Sequence, residues 1–186
     1  LSFGLETVDE DMRKTMQKKV PLEAYNQSNA LLNKYDIEAL NSVMLGLPGE
    51  TEANVMKTLN FLSKAKEVKQ ANFAIAVPYP GTKFHEMAAN GLGGMELLSD
   101  NFTEYRRYGQ AVTKVNNLGP EDLIRLQNEG YVSIYSRHWR WLPTIKKYGV
   151  IGLVLTFLRM FKMIIDKIKY KLKYKLSNNQ ALTSTK

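Results

Sequence analysis

A chain of 186 residues, 44% hydrophobic and 24% charged, has an ordinary globular composition and room for one cored domain plus an appendage. It contains no cysteine, which excludes disulfides and any cysteine-held metal or iron–sulfur site within these residues. The net charge of +8 is uneven: from Arg137 to Lys175 eleven Lys or Arg stand against the single Asp166, so the rest is near-neutral and only the tail needs a charge-based explanation. The chain opens on Leu1 inside an apolar run, with no signal peptide before it, and the expectation is a piece of a longer protein.

Leu1 to Leu5 is short and apolar, as a buried strand would be. Thr7 or Asp9 can cap a helix through DEDMRKTMQKK, with acids in its first turn and lysines in its last. Pro21 ends that helix, and LEAYNQSNALLNKY predicts a second. IEALNSVMLG reads as a strand ending at Gly46. Glu50 or Thr51 caps the next helix, EANVMKTLNFLSKA, where Val55, Leu59 and Leu62 recur at helical spacing. QANFAIAVPYP is the following strand, and KFHEMAAN a short helix ended by Gly91. GLGG at Gly91–Gly94 reads as a flexible turn rather than a phosphate cradle.

Strands that are apolar throughout, separated by helices, predict a parallel sheet covered on the outside. Three turns share one design. LSFGLET, SVMLGLPGE and AIAVPYPGT each carry an apolar run into Gly or Pro and then a polar residue able to start a helix. In parallel α/β architectures that strand-to-helix edge is where ligands bind, because strand ends and helix N-termini converge there. A single such turn is ordinary strand termination; three in series favour a binding edge.

The ordered trio FGLET, MLGLPGET and VPYPGT resembles the C-terminal half of a radical S-adenosylmethionine enzyme barrel. It is similar in particular to the cobalamin-binding-domain type that includes the anaerobic magnesium-protoporphyrin ester oxidative cyclases. The resemblance covers about residues 1–90, with a weaker echo at GYVSIYSRHWRW. It implies an α/β fold: the C-terminal half of a partial (β/α)6 TIM-like barrel, strands four to six, followed by a mostly helical C-terminal extension. It further implies cofactor-binding roles for Glu6, Met44, Gly46, Val77 and Pro78. Glu6 would bond the ribose or methionine part of S-adenosylmethionine, a donor-rich group that suits a carboxylate. Met44 and Gly46 would lie along the adenine, Val77 and Pro78 would present backbone to its edge, and Tyr79 would face substrate. Each has an ordinary structural alternative: Glu6 as a helix-start carboxylate, Met44 as core packing, Tyr79 as an exposed loop aromatic.

The family's Cys-x-x-x-Cys-x-x-Cys motif belongs after its first strand. The [4Fe–4S] cluster ligands and a cobalamin domain are therefore expected upstream of Leu1, and no catalytic or metal-binding residue is assigned here. KYDI stands where the family often has a glycine. His85 and His138 are too few and too far apart to suggest a metal site. The implied partners are the missing N-terminal half of the same protein and a small apolar or lipid-like substrate. The reaction would be methyl transfer or oxidative cyclisation, in the cytoplasm. The other reading is a non-catalytic α/β binding module held to membranes by its tail.

Residues 91–145 are expected to form a helical and loop extension covering the barrel, with the polar, tyrosine-rich stretch from Asn101 to Asn117 over its mouth. The region 146–176 is read as a basic amphipathic helix, and 177–186 as a disordered end. The apolar run Gly149–Leu158 is short of the ~20 residues that span a bilayer. Beyond it, Arg159, Lys162, Asp166, Lys169 and Lys173 form a polar stripe opposite Phe157, Phe161, Ile164, Ile168 and Leu172. Such a helix either packs on the barrel with its lysines in water or lies on an anionic membrane surface, peripheral at the inner face. No nucleic-acid module accompanies its charge, so nucleic acid is not expected as a partner.

Overall fold

The computed structural model describes the backbone of residues 1–183 and the side chains up to Tyr170 together with Leu172. Three parallel strands, β1 (Ser2–Glu6), β2 (Leu40–Leu45) and β3 (Gln70–Ile75), form one sheet in the order β1-β2-β3. Helices α1 (Glu10–Thr15) and α2 (Leu22–Lys34) connect β1 to β2, and α3 (Glu52–Lys64) connects β2 to β3. Their starts are set locally. The Asp9 carboxylate accepts from Met12 N to cap α1, and Thr51, rather than Glu50, caps α3 in a capping box with Asn54.

The strands are not apolar on both faces. Leu5, Val43, Leu45, Phe73 and Ile75 are buried against Val55, Leu59 and Leu62 of α3, while the alternate residues Ser42, Met44, Asn72 and Ala74 are half-exposed. The reading of these strands as apolar throughout is corrected here, while the parallel sheet with helices on its outer face is as expected. Among the described residues no helix layer covers the second face, so period-two alternation is what the environment rewards.

Helix α5 (Pro120–Tyr135) closes the far edge of the sheet. Gln127, Tyr131 and Tyr135 lie one turn apart on it and meet the free polar groups of β3. Gln127 Nε2 donates to Phe73 O at 2.6 Å, Phe73 N donates to the Tyr131 hydroxyl at 3.5 Å, and the Tyr135 hydroxyl donates to Ala71 O at 3.1 Å. Beyond α5, the fully buried Arg140 donates to Leu62 O, Ala65 O, Val68 O and Ile134 O at 2.7–3.2 Å. Those carbonyls include the ends of α3 and α5, where helix dipoles favour a cation. Desolvation pulls this guanidinium down to about 10, so it stays charged at neutral pH.

Between β3 and α5 lie α4 (Lys83–Ala89) and a small antiparallel ladder, β4 (Met95–Leu97) with β5 (Thr113–Val115), which the sequence reading did not assign. GLGG leads into it and is packed, not loose. A Cβ at Gly93 would come within 2.9 Å of Pro48, and one at Gly94 within 2.0 Å of Asn116 Oδ1. Asp36, in the KYDI turn, adopts φ 54, so the left-handed conformation is kept without glycine.

The final helix, α6 (Trp141–Thr183), is broken at Gly149, where φ is 69 and ψ 179. It runs back along α5 and into the segment expected to be unstructured; residues 184–186 of that segment lie outside the described residues. The helical region His138–Tyr170 is long and apolar enough to cross a membrane by length and composition, with a window of mean hydropathy 1.8.

Candidate functional site

The parallel strands bring their C-terminal ends to one edge, and the residues singled out in sequence gather there. Glu6 ends β1 opposite Val43, Met44 lies opposite Ala74, and Ala76 N donates to Leu45 O at 2.8 Å, carrying the pairing up to Gly46 and Val77.

Glu6 stands out at this edge. Its backbone is left-handed, φ 61, an uncommon state for a non-glycine residue, and a register shift after Gly4 turns its side chain back along the strand. A Cβ at residue 4 would lie 2.6 Å from Glu6 Oε1, so FGLE needs its glycine for this carboxylate to fold over the backbone. Lys18 Nζ is 3.9 Å from Oε1 while donating to Gly4 O at 2.7 Å. No other described group reaches the carboxylate. Desolvation raises its affinity for a proton, and Lys18 opposes that only in part. The alternative role as a helix-start carboxylate does not apply, because Asp9 holds that position. The Asp9 carboxylate is held down to about 2, chiefly by its hydrogen bond from Lys57 Nζ at 2.7 Å.

Met44 is half-buried on the uncovered face, and Gly46 is buried with φ 81. The turn after Gly46 is fixed by Glu50, which the sequence offered only as a helix cap. Its buried carboxylate accepts from Gly46 N at 2.6 Å and Leu47 N at 3.2 Å, and burial pushes it up to about 7 against those two amides. Val77 is half-buried, and the buried Pro78 accepts at its carbonyl from His85 Nδ1 at 3.0 Å. Tyr79 is exposed and turns outward to the Tyr105 ring, 6.2 Å away, so it stands apart from the other five positions.

Asn72 was missed by sequence reasoning. It lies on the uncovered face beside Ser42, donates to the Tyr108 hydroxyl at 3.2 Å, and leaves its buried Oδ1 without a partner. The available signal was the pair of polar residues at alternate positions of QANFAI, Gln70 and Asn72. Tyr108 reaches Asn72 because its segment passes the end of β3, where Ile75 N donates to Arg107 O at 2.9 Å. Two acceptors are thus left: the desolvated Glu6 carboxylate at the edge, and the orphaned Asn72 oxygen mid-strand on the uncovered face. Hydroxyl or ammonium donors suit either. Among the described residues, no group of three or more His, Cys, Asp or Glu could hold a metal ion.

No family model matches the chain. It is 31% identical over 136 residues to an uncharacterized methyltransferase of Pyrococcus horikoshii, covering 73% of this chain and 28% of the relative. It is 32% identical over 168 residues to an oxygen-independent coproporphyrinogen III oxidase of Helicobacter pylori, covering 84% of this chain and 35% of the relative. The chain thus spans about a third of the length of the curated relatives it matches, and both relatives bear the names of enzymes.

Proposed function

We propose that this chain is the C-terminal part of a radical S-adenosylmethionine enzyme, with β1–β3 as the last three strands of a six-stranded partial barrel. The Glu6–Gly46–Val77 edge would form part of the S-adenosylmethionine site. The observation that carries the reading is the Glu6 carboxylate, desolvated, partnered among the described residues by Lys18 alone at 3.9 Å, and folded over Gly4 at the end of a parallel strand. The closure of β3 by α5 supports it, since further strands could then join only at β1.

The residues present fit S-adenosylmethionine. Glu6 can accept from ribose hydroxyls or the methionine ammonium, the half-buried Met44 offers an apolar surface to adenine, and the strand beyond Ile75 leaves backbone near its edge. They do not fit the iron–sulfur cluster: without cysteine, its ligands must come from another part of the protein. S-adenosylmethionine bound beside such a cluster supplies the radical that begins the reaction. This chain's residues hold and orient it, and the half-open face with Ser42 and Asn72 would meet the substrate. The finer reading is a cobalamin-dependent enzyme acting on an apolar substrate by methyl transfer or oxidative cyclisation. Cobalt analysis of the purified full-length protein tests that part alone.

For the site itself, Glu6→Gln in the full-length protein should weaken S-adenosylmethionine binding about 10- to 100-fold with iron content unchanged, the expected loss of a charge-assisted hydrogen bond. Unchanged affinity, with or without a fall in stability, would make Glu6 structural and remove the proposal's main support.

A further inference from the structure

We infer that α6 is an interfacial helix that lays one face of the protein on an anionic lipid bilayer while its opposite face stays docked on α5. The helix has three faces. The inner one meets α5: Met160 is buried, Lys167 pairs with Glu129 at 2.8 Å, and the Tyr170 hydroxyl donates to Asp122 Oδ1 at 2.7 Å under the Arg125 guanidinium. The outer one is apolar and uncovered: Ile151 is 76% exposed, Leu158 60%, Phe161 63%, Ile168 54% and Leu172 57%. Between them runs an exposed basic face of Arg159, Lys162 and Lys169, none of them in an ion pair among the described residues and interrupted by Asp166. The side chain of Lys173, the last member of the sequence stripe, lies outside the described residues.

The stripe that would bury a helix in a core is therefore the one left out, and polar as well as apolar contacts hold the other side. A contiguous apolar surface of this size is unusual on a protein that meets only water. Its occupant is identified by charge. Lysines beside long apolar side chains match headgroup phosphates beside acyl chains, and the exposed Trp141 and Tyr148 at the start of the helix suit the headgroup layer. Spanning is excluded by the dock. The contacts of Lys167 and Tyr170 tie the helix to the polar body, which would have to enter the hydrocarbon with it. The helix accordingly lies in the membrane plane. This inference uses no residue of the strand edge and stands apart from the cofactor reading.

Flotation of the full-length protein with vesicles tests it. It should float with phosphatidylcholine vesicles containing phosphatidylglycerol, and at least about tenfold less with phosphatidylcholine alone or in high salt. Each exposed lysine is worth about fivefold near an anionic surface, so Lys162→Glu with Lys169→Glu should release it by more than about tenfold. Phe161→Ser with Ile168→Ser should also release it, with the far-ultraviolet circular dichroism of both variants unchanged. Failure to float on anionic vesicles would overturn the inference. So would retention until detergent is added, which means spanning, or self-association lost in the Phe161→Ser, Ile168→Ser variant, which means a second copy. Protection of the apolar face from hydrogen exchange in the vesicle-free monomer would assign that face to the rest of the chain, and would overturn it too.

Discussion

Helices α5 and α6 run antiparallel along one flank of the protein, and the fold uses them differently. Most of the surface of α5 is engaged. Leu123, Leu126 and Ile134 enter the core, Gln127, Tyr131 and Tyr135 close the edge of β3, and Arg125 and Glu129 meet α6. Over its described side chains the more apolar α6 docks through one of its faces and leaves its greasiest stripe in solvent. Apolar content alone does not decide burial. A helix buries the face whose shape and polar groups match a partner, and α5 offers Asp122 and Glu129, which select Tyr170 and Lys167.

The largest test of that contrast is Arg140→Ala. It removes the guanidinium from four backbone carbonyls at the junction of α3, α5 and α6, of which Ala65 O and Ile134 O keep Val68 N and Arg137 N as donors, and should cost about 3–5 kcal/mol in chemical denaturation of the full-length protein. Loss of less than about 1 kcal/mol would mean that water replaces the guanidinium and that this junction is not part of the core.

A second test reads burial through pH. The Glu50 carboxylate is raised in the folded state from its ordinary 4.5 to about 7, so folding favours its protonated form. Its contribution is fully present below about 4.5 and is lost as pH rises toward 7, by as much as about 3 kcal/mol. Glu50→Gln has no charge to lose and should flatten the stability profile across that interval. An unchanged profile would mean that the Gly46 and Leu47 amides outweigh burial. The smallest expected effect lies on the outer face of α6. Phe161→Ser with Ile168→Ser should change stability without vesicles by less than about 0.5 kcal/mol. A cost near 2 kcal/mol would show that the stripe is covered within the protein and that α6 resembles α5 after all.

Much of the chain was legible in advance where the signal is local. Asp9 before α1, Thr51 before α3 and the Gly46 turn after β2 were visible because capping and turn chemistry act within about four residues. That the strand ends carrying Glu6, Met44, Gly46, Val77 and Pro78 share one edge followed from parallel pairing, whereas the choice of those five residues came from the resemblance. Other features were hidden. Nothing near Glu50 says that its carboxylate turns inward to two amides instead of capping a helix. The orphaned Asn72 oxygen depends on Tyr108, thirty-six residues away, and Arg140 on carbonyls up to seventy-eight residues away.

The sequence by itself determined the order of strands and helices as far as α4, the absence of cluster ligands within these residues and the separation of a basic, amphipathic tail from a near-neutral body. Composition, periodicity and capping suffice for those. Only the tertiary structure decided which faces stay open. The sheet keeps Ser42, Met44 and Asn72 uncovered, and α6 turns its apolar stripe outward. A strand or helix carries the same pattern whichever face is covered. The choice belongs to the neighbour it meets, here the hydrogen-bonding groups of α5 on one side and, on the other, a sheet face that no described helix covers.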